Sequence, residues 1–162
     1  MRAPMKVWNI TICDISNCSP SSHDGECAKG TGTFARFCTR EADVRVELRI
    51  GEVAVLVELN GSAAACALAE RLPSVISMSV SSVGCCGQLG FSLPCDAADV
   101  HSGWSDGDLN YKPEGDWLAL FFDDEKNSAR YGGQVTLGHV DGPLDVLRGL
   151  SGTHDVRIEL SK

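Results

Sequence analysis

The chain has 162 residues, a length that fits a single domain with a short appendage. Apolar residues make up 43% of the sequence, which is enough for a hydrophobic core and excludes a chain that is disordered throughout. The formal net charge is −8. No run of apolar residues approaches the roughly 18 that a membrane-spanning helix needs, so no membrane partner is expected.

The negative charge comes from residues 43–162. Residues 1–42 carry five Lys and Arg against four Asp and Glu, whereas residues 43–162 carry nine against 18. An acidic surface repels phosphate groups, so nucleic acid is not expected as a partner. The simpler interpretation of the charge is that it keeps the domain soluble.

Residues 1–42 show no sustained apolar periodicity, and residues 16–33 are rich in Ser, Gly, Cys, Thr and Asp, as loops are. The weak apolar stretch at residues 7–15 is interrupted by polar residues and makes a poor signal peptide. We therefore predict a loosely structured N-terminal tail and a cytoplasmic protein.

Residues 44–59 predict a β-hairpin. Apolar and charged residues alternate on both sides of Gly51-Glu52, and a period of two places successive side chains on opposite faces of a strand. Gly51 is the first of two turn residues, which suits a type II′ turn.

Two short helices are predicted. Ser62 is a suitable N-cap for a helix over residues 63–72, which Pro73 ends. A second helix over residues 143–150 has Pro143 in its first turn.

The other predicted elements are short strands. Residues 84–90 are expected to form a turn and residues 95–107 a polar loop, with a short extended piece at residues 91–93. Apolar patterns predict strands at residues 75–80, 109–112, 117–122, 134–140 and 155–161.

The strand at residues 117–122 is apolar on both faces. This pattern indicates a central strand with one face in a barrel interior and the other beneath a helix or loop. About eight short strands and two short helices predict a mainly β fold, a closed or nearly closed β-barrel over residues 43–162.

The order of these elements resembles the cyclophilin-like domain family of microbial proteins. The resemblance covers about 120 of the 162 residues and implies a small barrel whose activity is unassigned. It rests on the hairpin at residues 44–60, the helix ending in Leu72-Pro73, the strand with Met78-Ser79, the step Gly107-Asp108-Leu109 and the apolar strand ending in Phe121-Phe122.

The resemblance implies a prolyl cis-trans isomerase as the alternative function. True cyclophilins carry a Phe-His-Arg-Val stretch and a Gln-Gly-Gly, which together place an arginine against the prolyl amide. Residues 130–134 contain similar residue types in another order, so an isomerase here would need a non-standard catalytic set. The turn at residues 81–87 also departs from the family, which has Asn-Glu and aromatic residues there.

We hypothesise a binding module for a small molecule or peptide rather than an enzyme, with a groove near Phe121 and Arg130. Ligand sites are mostly apolar with a few placed polar groups. The alternative for each apolar candidate is that it fills the core. The candidates are Met78, Phe91, Tyr111, Phe121, Arg130 and Tyr131.

The cysteines follow no metal-binding spacing, since no C-x-x-C pair occurs, and neither a metal nor another cofactor is expected. A cytoplasmic protein with a sizeable core is expected to keep its cysteines as free thiols. Four cysteines precede residue 43 and four follow it: Cys13, Cys18, Cys27 and Cys38, then Cys66, Cys85, Cys86 and Cys95.

Overall fold

In the computed structural model, which describes residues 44–162, nine strands form one sheet. The predicted tail at residues 1–42 lies outside the described residues. The strands are β1 Arg45–Ile50, β2 Val53–Leu59, β3 Ser74–Val80, β4 Gly84–Gln88, β5 Val100–His101, β6 Asp108–Lys112, β7 Trp117–Phe121, β8 Gln134–Asp141 and β9 Thr153–Leu160. The helices are α1 Ala63–Glu70 and α2 Asp145–Arg148, with 3₁₀ helices at Ala97–Asp99 and Glu125–Arg130.

Eight of the strands form a closed ring in the order β2-β1-β9-β3-β4-β7-β6-β8, and the pairing of β8 with β2 closes it. The strand pairs are antiparallel. The two-residue strand β5 pairs with β8 outside this ring. The prediction of a mainly β fold with a closed barrel and a few short helices is confirmed.

The first hairpin forms where the alternating pattern predicts it. Strands β1 and β2 pair from Arg45 with Glu58 to Ile50 with Val53, which leaves Gly51 and Glu52 as the two-residue loop. Gly51 has φ +60°, whereas Glu52 has a negative φ, and this combination is the one that a type II′ turn requires.

Helix α1 begins at the predicted N-cap. The Ser62 hydroxyl oxygen accepts a hydrogen bond from the Ala65 backbone N–H at 3.3 Å. Ala64, Ala65 and Leu68 of this helix are buried and pack in the core of the barrel.

The barrel interior is filled by apolar side chains from all eight ring strands and both α-helices; we call this set the main core. Strand β7 illustrates the alternation that fills it. Leu118 and Leu120 point inward and are fully buried in the main core, whereas Ala119 and Phe121 are buried on the outer face. The predicted burial of both faces of this strand is confirmed.

The expected turn at residues 84–90 is wrong, because Gly84–Gln88 is the ring strand β4 between β3 and β7. The glycines of β4 allow the neighbouring strands to approach closely. A Cβ on Gly84 would lie 2.5 Å from the carbonyl oxygen of Leu120, and one on Gly87 would lie 2.1 Å from that of Ser77.

The expected polar loop at residues 95–107 contains a 3₁₀ helix and strand β5. Residues 91–93, for which a short extended piece is predicted, do not form a strand. Within residues 44–162, no helix is long and apolar enough to cross a membrane.

Candidate functional site

A second apolar cluster lies on the outer face of the barrel, separate from the main core. It is formed where the loop before β6 and the segment after the second 3₁₀ helix fold over β7. We call it the outer aromatic cluster, and its members are Val83, Trp104, Ala119, Phe121 and Tyr131.

The aromatic rings of this cluster are in direct contact. The Trp104 ring stacks on Phe121 with ring centroids 3.9 Å apart and planes within 5° of parallel. Tyr131 tilts against Trp104 at a centroid distance of 5.2 Å. Stacked and tilted aromatic pairs contribute specific geometry beyond the burial of their area, so the three rings pack as one unit.

Ser128 holds the Trp104 loop against the second 3₁₀ helix. Its buried hydroxyl oxygen accepts from the Trp104 backbone N–H at 3.0 Å and lies 2.7 Å from the carbonyl oxygen of Glu125. The Trp104 indole N–H donates to the carbonyl oxygen of Asp123 at 3.0 Å. Both N–H groups of Trp104 are therefore satisfied while the indole ring stays on the barrel.

Arg130 supplies a cation at the rim of the outer aromatic cluster. Its guanidinium carbon lies 4.9 Å from the centroid of the Tyr131 ring, which is a cation–π distance. The Arg130 side chain is 61% exposed, and its ion pair with Asp124 is long, at 3.8 Å. An exposed pair of this kind is weak, so the guanidinium can exchange Asp124 for an oxygen atom of a ligand.

Next to the cluster, the outer face of β6 and β8 buries a pair of side-chain amides. Asn110 lies opposite Ala119 on β7 and opposite Thr136 on β8. Its Nδ2 donates to Oε1 of Gln134 at 2.7 Å. Asn110 and Gln134 are 1% and 2% exposed, yet Oδ1 of Asn110 and Nε2 of Gln134 have no hydrogen-bond partner within the described residues.

A row of ionisable side chains crosses the outer face of β6, β8 and β2. Asp108 pairs with His139 across β6 and β8, and His139 pairs with Glu58 across β8 and β2. The Nδ1 atom of His139 lies 3.0 Å from Oδ1 of Asp108. The Asp108 carboxylate also accepts from the Ser105 backbone N–H at 2.8 Å. The contact between Asp108 and His139 fixes the orientation of the half-exposed imidazole.

The histidine ring packs on Gly107, which has φ +104°. A Cβ at this position would lie 2.8 Å from two atoms of the His139 ring. A residue other than glycine would therefore displace the imidazole as well as strain the backbone.

A groove of about 460 Å³ lies along β2 and β8 beside this row. Its polar lining comes from Glu58, Asn60, Thr136, His139 and Asp141. The lining carries two carboxylates, both paired with the Arg45 guanidinium at 3.6 and 3.7 Å, and it is rich in hydrogen-bonding groups, in contrast to the aromatic cluster on β7.

Of the predicted site residues, three are brought together and three are not. Phe121, Tyr131 and Arg130 lie in or at the rim of the outer aromatic cluster. Met78 is fully buried in the main core, and Phe91 packs against that core with the Arg71 guanidinium 4.8 Å from its ring centroid.

Tyr111 lies on the inner face of β6 and is 1% exposed. Its hydroxyl donates to Oδ1 of Asp116 at 2.6 Å and accepts from the Leu93 backbone N–H at 3.1 Å. Burial, and then the hydrogen bond to Asp116, raise the pKa of the Tyr111 hydroxyl. These contacts tie two loops to the core.

The cysteines differ from one another in environment. Cys66 and Cys86 are disulfide-bonded, so the expectation of free thiols is wrong for these two residues. Cys86 packs against the outer aromatic cluster. Its neighbour Cys85 is a free thiol inside the main core, where burial raises its pKa to about 12. No group of three or more His, Cys, Asp or Glu side chains in residues 44–162 is arranged to hold a metal ion.

Sequence reasoning missed Trp104, Asn110 and Gln134. A lone tryptophan in an otherwise polar loop was a usable signal, because so large an apolar side chain usually packs on something. The amide pair gave no local signal, since its two members are 24 positions apart in the chain.

The comparisons with known proteins agree with this architecture. A model of the Cyclophilin-like family matches residues 48–159. The solution structure of the hypothetical protein AF2241 from Archaeoglobus fulgidus is similar, with a TM-score of 0.59 and 18% sequence identity, over 74% of this chain and 95% of that chain. A similarity at this level of identity concerns the fold alone. A search of curated proteins gives no match.

Proposed function

Since the chain belongs to the cyclophilin-like family, we propose that its barrel is a binding module without catalytic turnover. A small molecule or peptide binds on the outer face of the barrel, beside Arg130 and the outer aromatic cluster. The observation that carries this proposal is the exposed Arg130 guanidinium at the edge of stacked aromatic rings that lie outside the main core.

The chemistry of this surface supports binding. Ligand sites combine apolar and aromatic walls with a few placed polar groups. Here the apolar part is the edge of the ring unit of Trp104, Phe121 and Tyr131, whose residues are 5% to 6% exposed, and the polar group is a guanidinium with five N–H donors. A carbonyl or carboxylate oxygen is the matching ligand group.

A ligand screen by thermal shift tests the proposal. A bound ligand raises the apparent stability by mass action, by roughly 2.7 kcal/mol at 100 times its dissociation constant. Hits are then measured on Arg130→Ala and on the matched control Arg49→Ala, which removes another exposed arginine from a carboxylate pair on β1.

We expect Arg130→Ala to weaken binding at least about tenfold, as the loss of a charge-assisted hydrogen bond does, and Arg49→Ala to leave binding unchanged. Equal effects of the two substitutions would overturn the proposed location. A screen without any hit would overturn the binding function.

The alternative is a prolyl isomerase with a non-standard catalytic set. The observation that favours this alternative is the nearness of the Arg130 guanidinium to an aromatic ring. A protease-coupled assay on a prolyl peptide separates the two functions. We expect no turnover above the uncatalysed rate. Turnover that Arg130→Ala abolishes would replace the binding module with an isomerase.

The compartment proposed from the sequence is the cytoplasm. The disulfide bonds of Cys66 and Cys86 argue against it, because most cytoplasms keep protein thiols reduced. Alkylation at the moment of cell lysis, followed by mass spectrometry, tests the compartment. Direct alkylation of both cysteines supports the cytoplasm, whereas alkylation only after reduction points to an oxidising compartment.

A further inference from the structure

The amide pair Asn110–Gln134 leaves two hydrogen-bonding atoms unused in a buried place. Oδ1 of Asn110 is an acceptor and Nε2 of Gln134 is a donor, and neither has a partner within the described residues. Buried polar atoms are almost always paired, because an unpaired one loses its hydrogen bonds to water without replacement. A pair of orphaned atoms on one face of two adjacent strands therefore needs an explanation.

The complementarity of the two atoms does not depend on how the amides are oriented. If both side-chain amides turn by 180°, Gln134 donates to Asn110, and the unused atoms become Nδ2 of Asn110 and Oε1 of Gln134. In either arrangement the pair offers one donor and one acceptor. A group that satisfies both must carry an acceptor and a donor of its own.

The place of the pair on the barrel connects it with the rest of the outer face. Asn110 lies opposite Ala119, which belongs to the outer aromatic cluster, and opposite Thr136, which lines the groove along β2 and β8. Adjacent strands are about 4.8 Å apart. A ligand that extends from the cluster towards the groove therefore passes within about one strand spacing of the amide pair. Because Asn110 and Gln134 are 1% and 2% exposed, the ligand reaches their orphaned atoms by displacing the groups that cover them.

We infer that the ligand of this face carries a secondary amide, whose C=O accepts from one side-chain amide of the pair and whose N–H donates to the other. This inference rests on the proposed binding function. The amide belongs either to a small lactam or to a peptide backbone, since both present the same two groups. The proposal needs no covalent step.

Matched pairs of probes test the inference, because an ester has the carbonyl of an amide and lacks its N–H. The first pair is 2-pyrrolidinone and γ-butyrolactone. The second is N-acetylglycine N-methylamide and the analogue with an ester in place of the terminal amide. Binding is followed by NMR titration of the side-chain NH₂ signals of Asn110 and Gln134.

We expect the amide member of at least one pair to bind at least about tenfold more tightly than its ester partner, because the ester leaves one buried atom unpaired. Preference within the first pair alone identifies a lactam, and preference within the second identifies a peptide. Equal binding of amide and ester in both pairs would overturn the inference and leave the proposed binding function intact. Absence of binding by all four probes would also overturn it, and the ligand screen would then decide the proposed function by itself.

The double variant Asn110→Leu with Gln134→Met distinguishes a binding role of the amide pair from a purely structural one. Replacing both amides by apolar groups of similar shape removes both orphaned atoms, so the melting temperature should stay equal or rise. The amide-to-ester preference should fall to about one. A lowered melting temperature with an unchanged preference would assign the pair to the fold, with a bridging water as its partner.

Discussion

The two faces of the barrel wall use their side chains differently. Inside, Leu118 and Leu120 of β7 join an apolar core to which all eight ring strands contribute. Outside, one strand position away, Phe121 stacks on Trp104 beside the amide pair and an exposed arginine. Two faces of the same five-residue strand are thus buried by different means.

The difference indicates which face stabilises the fold and which is available for binding. A closed barrel needs its interior filled at close packing, so interior positions tolerate little change. The outer face carries unpaired polar atoms and a weakly held guanidinium, which lower stability or leave it unaffected. Natural proteins keep such features mainly where they serve a site. Substitutions on the two faces should therefore have different effects.

The substitution Leu120→Ala gives the largest expected loss of stability. Leu120 is fully buried in the main core, and truncation removes apolar contacts and leaves a cavity. The free energy of unfolding should fall by about 2–5 kcal/mol, as measured by urea denaturation. Leu160→Ala is the matched control, because Leu160 on β9 is half-exposed, and its effect should stay within about 0.5 kcal/mol. Similar losses in both variants would contradict the assignment of the interior.

The free thiol of Cys85 allows the closure of the barrel interior to be tested by chemical labelling. The thiolate is the reactive form, and burial raises the pKa of Cys85 from 9.0 to about 12. A raised thiol pKa favours the unreactive protonated form, here about a thousandfold at pH 8 relative to an unshifted thiol.

Alkylation at pH 8 should therefore modify Cys85 only when the barrel opens, and denaturant should restore rapid labelling. Mass spectrometry of labelled peptides gives the rate at this residue. Rapid labelling of Cys85 in the folded protein would mean that the interior of β4 is open to solvent.

The substitution Tyr111→Phe should cost less than a core truncation. It removes the hydroxyl that donates to Asp116 and leaves the buried Leu93 N–H without its acceptor. We expect a loss of about 1–3 kcal/mol in urea denaturation. Tyr131→Phe is the matched control on the outer face, and since its hydroxyl makes no hydrogen bond within residues 44–162, its effect should stay below about 0.5 kcal/mol. A reversed order of the two losses would mean that the hydrogen bonds of the Tyr111 hydroxyl do not stabilise the fold.

The features that could be predicted from the sequence are those that depend on local patterns, and the features that could not are those that depend on how the strands pair. The hairpin at β1 and β2 and the two-sided burial of β7 follow from apolar periodicity, which is a local property of the chain. Strand β4 was missed because Gly84 and Gly87 look like turn residues. Their role is to let the carbonyl oxygens of Leu120 and Ser77 approach, and this is visible only once the strands are paired.

The candidate site was less predictable than the fold for a related reason. Chemical type points to Phe121, Arg130 and Tyr131, which do lie together, but it points equally to Met78 and Tyr111, which face inward. The amide pair depends on the register of β6 and β8, which contains a bulge with the extra residue Leu137 between the partners of Leu109 and Asn110. A one-residue change of register reverses the faces of a strand, so a pattern of residue types cannot locate such a pair.

The substitution Arg130→Ala should change stability least, and this small effect is what makes it useful. The side chain is 61% exposed, its ion pair with Asp124 spans 3.8 Å, and its contact with the Tyr131 ring lies at the surface. An exposed ion pair of this length contributes almost nothing to stability, and an exposed cation–π contact contributes about 0.5–1 kcal/mol. We therefore expect the free energy of unfolding to change by less than about 1 kcal/mol in urea, with Arg49→Ala giving a similar value. A larger loss for Arg130→Ala would show that the guanidinium holds the second 3₁₀ helix in place. A loss within the expected range means that any weakening of ligand binding in this variant reports a lost contact with the ligand and not a damaged barrel.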